Sequence, residues 1–234
     1  MAAALADLHA PFSQLVGVQL QRSSPWRCAA FVLTAGSAGD PADNTRADQA
    51  DPQAHRKRID LAAAIEVLRL ALAVHTQLLP VTGDDDAPNA PLAPVDRSLL
   101  GSTILAGDYC FSRAAALAAR TGSPAVVDIF AQALQRVSEG TLRGLFRTDV
   151  RAGAQASPPA AGFGVERELC LAGVQAAGEL AELDAAQRQA DQQAALLLLD
   201  ARHGEQPADW PAQVSPARRP RWRALRRWLA AAGG

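Results

Sequence analysis

Residues 99–146 constrain the fold more than any other stretch, because they contain two helical patterns separated by a compact break. On both sides of the break, apolar residues recur every three or four positions, as they do on one face of a helix. The break itself, Thr121-Gly122-Ser123-Pro124, offers a glycine that ends one helix and a serine N-cap with a proline that begin the next. The stretch therefore predicts an antiparallel helical hairpin.

Composition favours helices in the rest of the chain as well. The 234 residues are 49% hydrophobic but only 5% aromatic, and abundant alanine suits closely packed helices. Further helical patterns occupy residues 26–35, 56–79, 165–183 and 185–199, and loops are predicted at 36–54, 80–94 and 147–163. We predict one all-α domain over residues 1–234, an antiparallel helical bundle with a basic amphipathic helix at about 217–231.

The helix predicted at 56–79 has a continuous apolar stripe. Leu61, Ile65, Leu68, Leu72 and His75 are spaced by four, three, four and three residues, so they lie on one face. We interpret His75 as the polar member of this stripe, hydrogen-bonded inside the bundle, because no second His or Cys stands near it at metal-ligand spacing.

Charge and cysteine content indicate no special partner. The formal net charge is −1, which does not favour binding to nucleic acid.

Cys28, Cys110 and Cys170 are widely spaced, which predicts reduced thiols in a cytosolic protein. The sequence shows no signal-peptide pattern and no run of 18 apolar residues, so we expect a cytoplasmic chain that does not span a membrane.

The first helix of the hairpin carries a resemblance to a known family. Residues 102–114, STILAGDYCFSRA, resemble the "GDYL-ARA" helix of trans-type polyprenyl diphosphate synthases. Glu139-Gly140 is similar to the "EGE" that closes the next helix in that family, and the resemblance extends over about residues 56–205. It implies an all-α bundle of the isoprenoid synthase type.

In that family, two aspartate-rich motifs hold the Mg²⁺ ions that bind the diphosphate of an allylic substrate. The first resembles "IHDDxxD", and its carboxylate positions fall here on Thr76, Gln77 and Pro80. Because these side chains are poor ligands for Mg²⁺, the resemblance implies that the first metal site is missing.

The second motif resembles "FQIxDDxxD" and falls within residues 187–200. If Asp200 takes the place of the last aspartate, the preceding pair becomes Leu196 and Leu197, which cannot bind a metal ion. The remaining candidate metal ligands are Asp200 and a displaced cluster, Asp84-Asp85-Asp86, whose neighbouring glycine and proline favour a solvated turn. We assign no catalytic residue and no cofactor, and expect Mg²⁺ only if this cluster is active.

The basic residues that bind diphosphate in the family are largely replaced. Its "GKRxRP" motif falls on residues 23–28, where only Arg27 keeps a cationic side chain. Its "KT" pair falls near residues 165–168, which contribute Glu166 and Glu168 instead. A carboxylate beside a phosphate site repels the phosphate. Arg27 is therefore the one candidate diphosphate ligand.

The predicted C-terminal helix is basic and amphipathic. This pattern is typical of helices that contact anionic lipid or an acidic partner. It is also found in terminal helices that dock on the core of their own domain. Its candidate membrane- or partner-facing residues are Arg218, Arg219, Arg221, Trp222, Arg223, Arg226, Arg227 and Trp228.

Three functional hypotheses follow from the sequence. The first is a catalytically inactive polyprenyl synthetase-like subunit, which pairs with a catalytic synthase subunit or forms a homodimer. It would support a long-chain prenyl diphosphate synthase in isoprenoid biosynthesis, for example of quinone side chains. The second is an active prenyltransferase whose metal site is Asp84-Asp85-Asp86. The third is a binding module for an isoprenoid or another apolar ligand, with a deep pocket between the 61–79 helix and the hairpin.

Overall fold

The computed structural model describes residues 17, 26–36, 51–76, 97–150, 161–200 and 214–232. Within these ranges the chain forms helices and no strand. Seven helices lie within these ranges: α1 (Arg27–Ala35), α2 (Pro52–Thr76), α3 (Arg97–Arg120), α4 (Pro124–Val150), α5 (Ala161–Leu180), α6 (Ala185–Asp200) and α7 (Arg219–Ala232). The all-α prediction is confirmed.

The break between α3 and α4 has the predicted geometry. Gly122 has a φ of 70°, in the left-handed region that glycine adopts at little cost. Near the end of α3, the carbonyl of Ala118 accepts hydrogen bonds from both the hydroxyl and the backbone N–H of Thr121. The hydroxyl of Ser123 accepts a hydrogen bond from the backbone N–H of Val126. Residues 121–124 therefore end one helix and cap the next.

Helix α2 lies at the centre of the bundle, in contact with α1, α3 and α5. Between residues 60 and 71 every side chain except Ala63 is buried. The prediction of a single apolar face was therefore incomplete, since neighbouring helices cover α2 on all sides. Two members of the predicted stripe, Leu72 and His75, are only half-buried.

Helices α1 and α5 approach closely because α5 presents a glycine. A Cβ atom at Gly173 would lie 2.6 Å from Cγ2 of Val32, a distance that real side chains do not tolerate. The absence of a side chain at Gly173 therefore sets the spacing between these two helices.

Several helix ends differ from the prediction. Residues 147–150 continue α4, because they contain neither glycine nor proline to stop the helix, and α5 begins already at Ala161. Helix α1 begins one residue later than predicted, after Trp26, which has a left-handed φ of 73°. Helix α2 is described as far as Thr76, and its predicted continuation to residue 79 lies outside the described ranges. None of the helices described is long and apolar enough to cross a bilayer.

Candidate functional site

Arg27, the candidate diphosphate ligand, forms an ion pair with one of the carboxylates predicted near the same site. Arg27 begins α1 and Glu166 lies in the second turn of α5, and packing of the two helices brings Nε of Arg27 to 3.2 Å from Oε1 of Glu166. Both side chains are partly exposed. The carboxylate neutralises the guanidinium at the position where the resemblance implies a cationic phosphate ligand.

The neighbouring acidic residue of α5 is engaged elsewhere. Glu168 accepts a hydrogen bond from Nε of Arg136 on α4. Glu166 and Glu168 therefore each have an arginine partner on a different helix. Only Glu166 is paired with a residue of the predicted diphosphate site.

Asp200, a candidate metal ligand, lies at the end of α6 in an exposed ion pair. Its Oδ1 accepts a hydrogen bond from Nε of Arg167 at 3.1 Å. Of the leucines before it, Leu198 and Leu199 are buried in the core, whereas Leu197 is 37% exposed. The positions that the alignment gives to the second aspartate pair, Leu196 and Leu197, thus adjoin a packed apolar surface.

Asp84, Asp85 and Asp86 lie outside the described residues, and so do Gln77 and Pro80. Within the part of the chain that the structure describes, no three His, Cys, Asp or Glu side chains are grouped so that they could hold a metal ion.

A buried polar cluster that the sequence did not indicate lies beneath the Arg27–Glu166 pair. Glu66 on α2 is fully buried, and its Oε1 accepts a hydrogen bond from the backbone N–H of Ala29 in the first turn of α1. Its Oε2 accepts a second bond from Nε of Arg69 at 2.8 Å. Burial alone would lower the pKa of Arg69, but the Glu66 carboxylate outweighs this and the pKa is raised. The cluster fixes α1 on α2.

The C-terminal basic segment is partly internal, which corrects the prediction for three of its eight residues. Arg218, Arg221 and Trp222 are buried. Nη2 of Arg218 donates hydrogen bonds to Oδ2 of Asp191 and to the carbonyl of Ala35. The indole N–H of Trp222 donates to Oδ1 of Asp191 at 3.1 Å. Trp222 therefore belongs to the core, and Asp191 joins α6 to the segment around α7.

The outer face of α7 retains the other five residues. Arg223, Arg227 and Trp228 are exposed, and Arg226 is half-buried. Three of these arginines, together with Pro220, line a shallow surface depression. Arg219 is half-buried and donates from Nε to the carbonyl of Val214.

His75 fills the space between α2 and α3 beside Gly107-Asp108-Tyr109, the segment that carries the family resemblance. Its ring stacks on Phe111 at a centroid distance of 5.1 Å and occupies the space above Gly107, where a Cβ would lie 2.3 Å from Cε1 of His75. Nε2 lies 3.4 Å from Oδ1 of Asp108. The two helices are thus in contact at a point where the binding-module hypothesis places a pocket.

The described helices pack into an all-α bundle, and a solved structure shares this fold. Among solved structures, the chain is similar to a decaprenyl diphosphate synthase from Rhodobacter capsulatus, with a TM-score of 0.54 and 20% sequence identity. The match covers 84% of this chain and 57% of that chain, so this chain spans little more than half the length of the synthase. No family model matches the sequence, and no curated protein matches it.

Proposed function

We propose that this chain is a catalytically silent, polyprenyl-synthase-like subunit that supports an aspartate-bearing prenyl diphosphate synthase. The observation that carries the proposal is the contact between Arg27 and Glu166 at 3.2 Å. A site built to hold diphosphate needs uncompensated cations. Here the one cation retained from the family pattern is neutralised by a carboxylate from the facing helix.

The carboxylates of α6 are engaged in contacts with other parts of the fold. Diphosphate ionisation in this family depends on Mg²⁺ held by clustered carboxylates. Asp200 is paired with Arg167, and Asp191 is buried in contact with Arg218 and Trp222. Both carboxylates of α6 therefore stabilise the fold. In the proposed assembly the partner supplies the metal site, and this chain stabilises the partner or sets the length of its product.

We further propose that the assembly is cytoplasmic and that the outer face of α7 contacts the partner or a membrane surface. Arg223, Arg227 and Trp228 present two cations and one amphipathic ring on this face. Such a combination suits an acidic protein surface or anionic lipid headgroups. A homodimer is the alternative form of the assembly.

A prenyltransfer assay tests the proposal. The purified chain is incubated with labelled isopentenyl diphosphate, an allylic diphosphate primer and Mg²⁺, first alone and then with each aspartate-motif-bearing prenyl synthase from the same source. We expect no turnover by the chain alone, and a changed rate or product length with one partner.

Other outcomes of the assay contradict the proposal. Turnover by the chain alone would favour the active prenyltransferase, and the triple variant D84N/D85N/D86N would then test the displaced metal site. If the chain is inactive in every mixture, the binding module becomes the better hypothesis. Binding of a farnesyl-chain alcohol, followed by tryptophan fluorescence, would test that module.

Neutralisation of Arg27 can be tested separately from catalysis. In the E166Q variant the guanidinium loses its counter-charge, so we expect inorganic diphosphate to bind about fivefold more tightly than to the wild-type chain, which corresponds to about 1 kcal/mol. Isothermal titration calorimetry at low ionic strength measures this difference.

The matched control is E168Q on the same helix, because Glu168 pairs with Arg136 rather than Arg27. This variant has the same change in net charge as E166Q. Equal affinity gains in both variants would show that overall charge, and not the Arg27–Glu166 pair, governs anion binding.

A further inference from the structure

Cys28 and Cys170 are brought into direct contact by the fold. Their Sγ atoms are 3.0 Å apart, although the residues are separated by 142 positions in the chain. Both side chains are fully buried, and both are free thiols in the structure. A disulfide bond requires the two sulfur atoms to approach to about 2.05 Å. The remaining displacement is about one ångström, which small shifts of α1 and α5 can supply.

The glycine on α5 accounts for this proximity. Gly173 lies one turn after Cys170, and Val32 lies one turn after Cys28, so the two contacts are neighbours along the same helix–helix interface. Val32 occupies the space that a side chain at Gly173 would fill. Helices α1 and α5 are therefore held together at short range where the two thiols meet.

We propose that Cys28 and Cys170 form a redox-active pair, which a peroxide-class oxidant converts reversibly into a disulfide that joins α1 to α5. The third cysteine, Cys110, lies on α3 and makes no thiol contact among the described residues. Burial raises the pKa of Cys110 to about 11. Cys110 therefore serves as the buried thiol without a thiol partner, against which the reaction of Cys28 and Cys170 is compared.

The reaction is balanced with one molecule of hydrogen peroxide. One thiol, as its thiolate, attacks a peroxide oxygen, the O–O bond breaks, and the products are a sulfenic acid and water. The second thiol then attacks the sulfenic sulfur, so that the S–S bond forms and a second water molecule leaves. Two thiols lose two electrons and two protons in total, and the peroxide is reduced to two water molecules.

The environment of the pair makes this reaction slow. The hydrogen bond with Cys170, burial and the nearby carboxylates of Glu66 and Glu166 together raise the pKa of the Cys28 thiol well above its ordinary value. Because the thiolate is the nucleophile, little of the reactive form exists near neutral pH. Reaction thus requires local opening of the short helix α1, and we expect it to take minutes to hours.

The disulfide would act on the predicted diphosphate site. Arg27 directly precedes Cys28, and Glu166 lies one turn before Cys170. A covalent link between the two cysteines therefore holds the Arg27–Glu166 contact closed. The link also constrains the unfolded chain by closing a long loop, so the oxidised protein should melt at a higher temperature.

The test uses the full chain, purified in reduced form and treated with hydrogen peroxide. We expect the number of thiols titrated in denaturant to fall from three to one, and the intact mass to fall by the mass of two hydrogen atoms. Peptide mapping without reductant should yield a Cys28–Cys170 crosslink. The melting temperature should rise by about 5–10 °C and return after treatment with dithiothreitol.

Three variants complete the experiment. C110S should form the same crosslink, whereas C28S and C170S should form none and show no reductant-dependent melting. If a serine variant does not fold by circular dichroism, the peptide maps of the wild-type chain and C110S still decide the result. Retention of three thiols, oxygen added to Cys28 without a crosslink, or a crosslink to Cys110 would each overturn the proposal.

Discussion

Replacing Asp191 by alanine is expected to lower the free energy of unfolding by about 3–5 kcal/mol, because the buried Arg218 cation loses its carboxylate. The indole N–H of Trp222 loses its acceptor as well. Both partners of Asp191 lie in the core, where water cannot replace it easily. Urea unfolding followed by circular dichroism measures the loss.

The matched control is D200A on the same helix. Asp200 also accepts a hydrogen bond from an arginine, but its side chain is 58% exposed. Because water screens exposed ion pairs, this substitution should cost less than about 1 kcal/mol. Similar losses in D191A and D200A would show that burial of the Asp191–Arg218 pair does not govern its contribution.

A pH series on the R218A variant gives an independent measurement of the same pair. Burial raises the pKa of Asp191, and Arg218 together with Trp222 offsets part of that increase. Without Arg218 the folded-state pKa should rise further above the unfolded value. A carboxyl group whose pKa is higher in the folded state than in the unfolded state lowers the stability of the fold as the pH rises from the unfolded-state pKa to the folded-state pKa. The stability of R218A relative to the wild-type chain should therefore be lower at pH 7 than at pH 4.

Replacing Glu66 by alanine is expected to cause the second large loss in the free energy of unfolding. In E66A, the buried Arg69 loses the acceptor of its Nε–H, and the backbone N–H of Ala29 loses its partner in the first turn of α1. An uncompensated buried cation costs about 3–5 kcal/mol. Urea unfolding should show this loss, and amide hydrogen exchange should show reduced protection of α1.

Two further variants test whether the buried carboxylate of Glu66 accounts for the loss of stability in E66A. E66Q keeps an acceptor for Ala29 but removes the charge, so we expect an intermediate loss of stability. E179A removes the carboxylate of the partly exposed Arg188–Glu179 pair and should cost about 1 kcal/mol or less. If E66A is no more destabilised than E179A, the buried cluster does not hold α1 in place.

Local sequence signals account for most of the helices. The periodic spacing of apolar residues predicted helices α2 to α6. Residues 121–124 predicted the turn between α3 and α4, because their capping groups act within a few positions of one another. The ends of α4 and α5 were less well predicted. A window rich in glycine and proline indicates that a break exists, but it does not show at which residue each helix begins or ends.

The buried polar contacts could not be predicted in the same way. Glu66, Asp191 and Arg218 look like ordinary surface residues in a sequence pattern, since their partners come from distant segments. The basic pattern at the C-terminal helix indicated an amphipathic surface, but it could not distinguish docking on the core from contact with a partner. The buried position of Trp222 decides this for one face of α7.

The role of Arg27 as a diphosphate ligand stays a prediction. The resemblance assigned Arg27 and the region of residues 165–168 to one anion site, and the structure brings Arg27 and Glu166 into contact. The direct contact between Cys28 and Cys170 was missed, because thiols 142 positions apart carry no spacing signal. Only the packing of α1 on α5 reveals it.

The docking of α7 has a consequence for biosynthesis. Trp222 packs against Phe31 of α1 at a ring distance of 6.3 Å, and Arg218 donates to a carbonyl 183 positions earlier in the chain. A ribosome adds about 5–20 residues per second, so the segment with Arg218 and Trp222 is synthesised on the order of 10–40 s after α1. During that time the emerging polypeptide exposes the apolar surface that Trp222 later covers. Chaperones that shield nascent chains thus have a defined segment of this protein to protect.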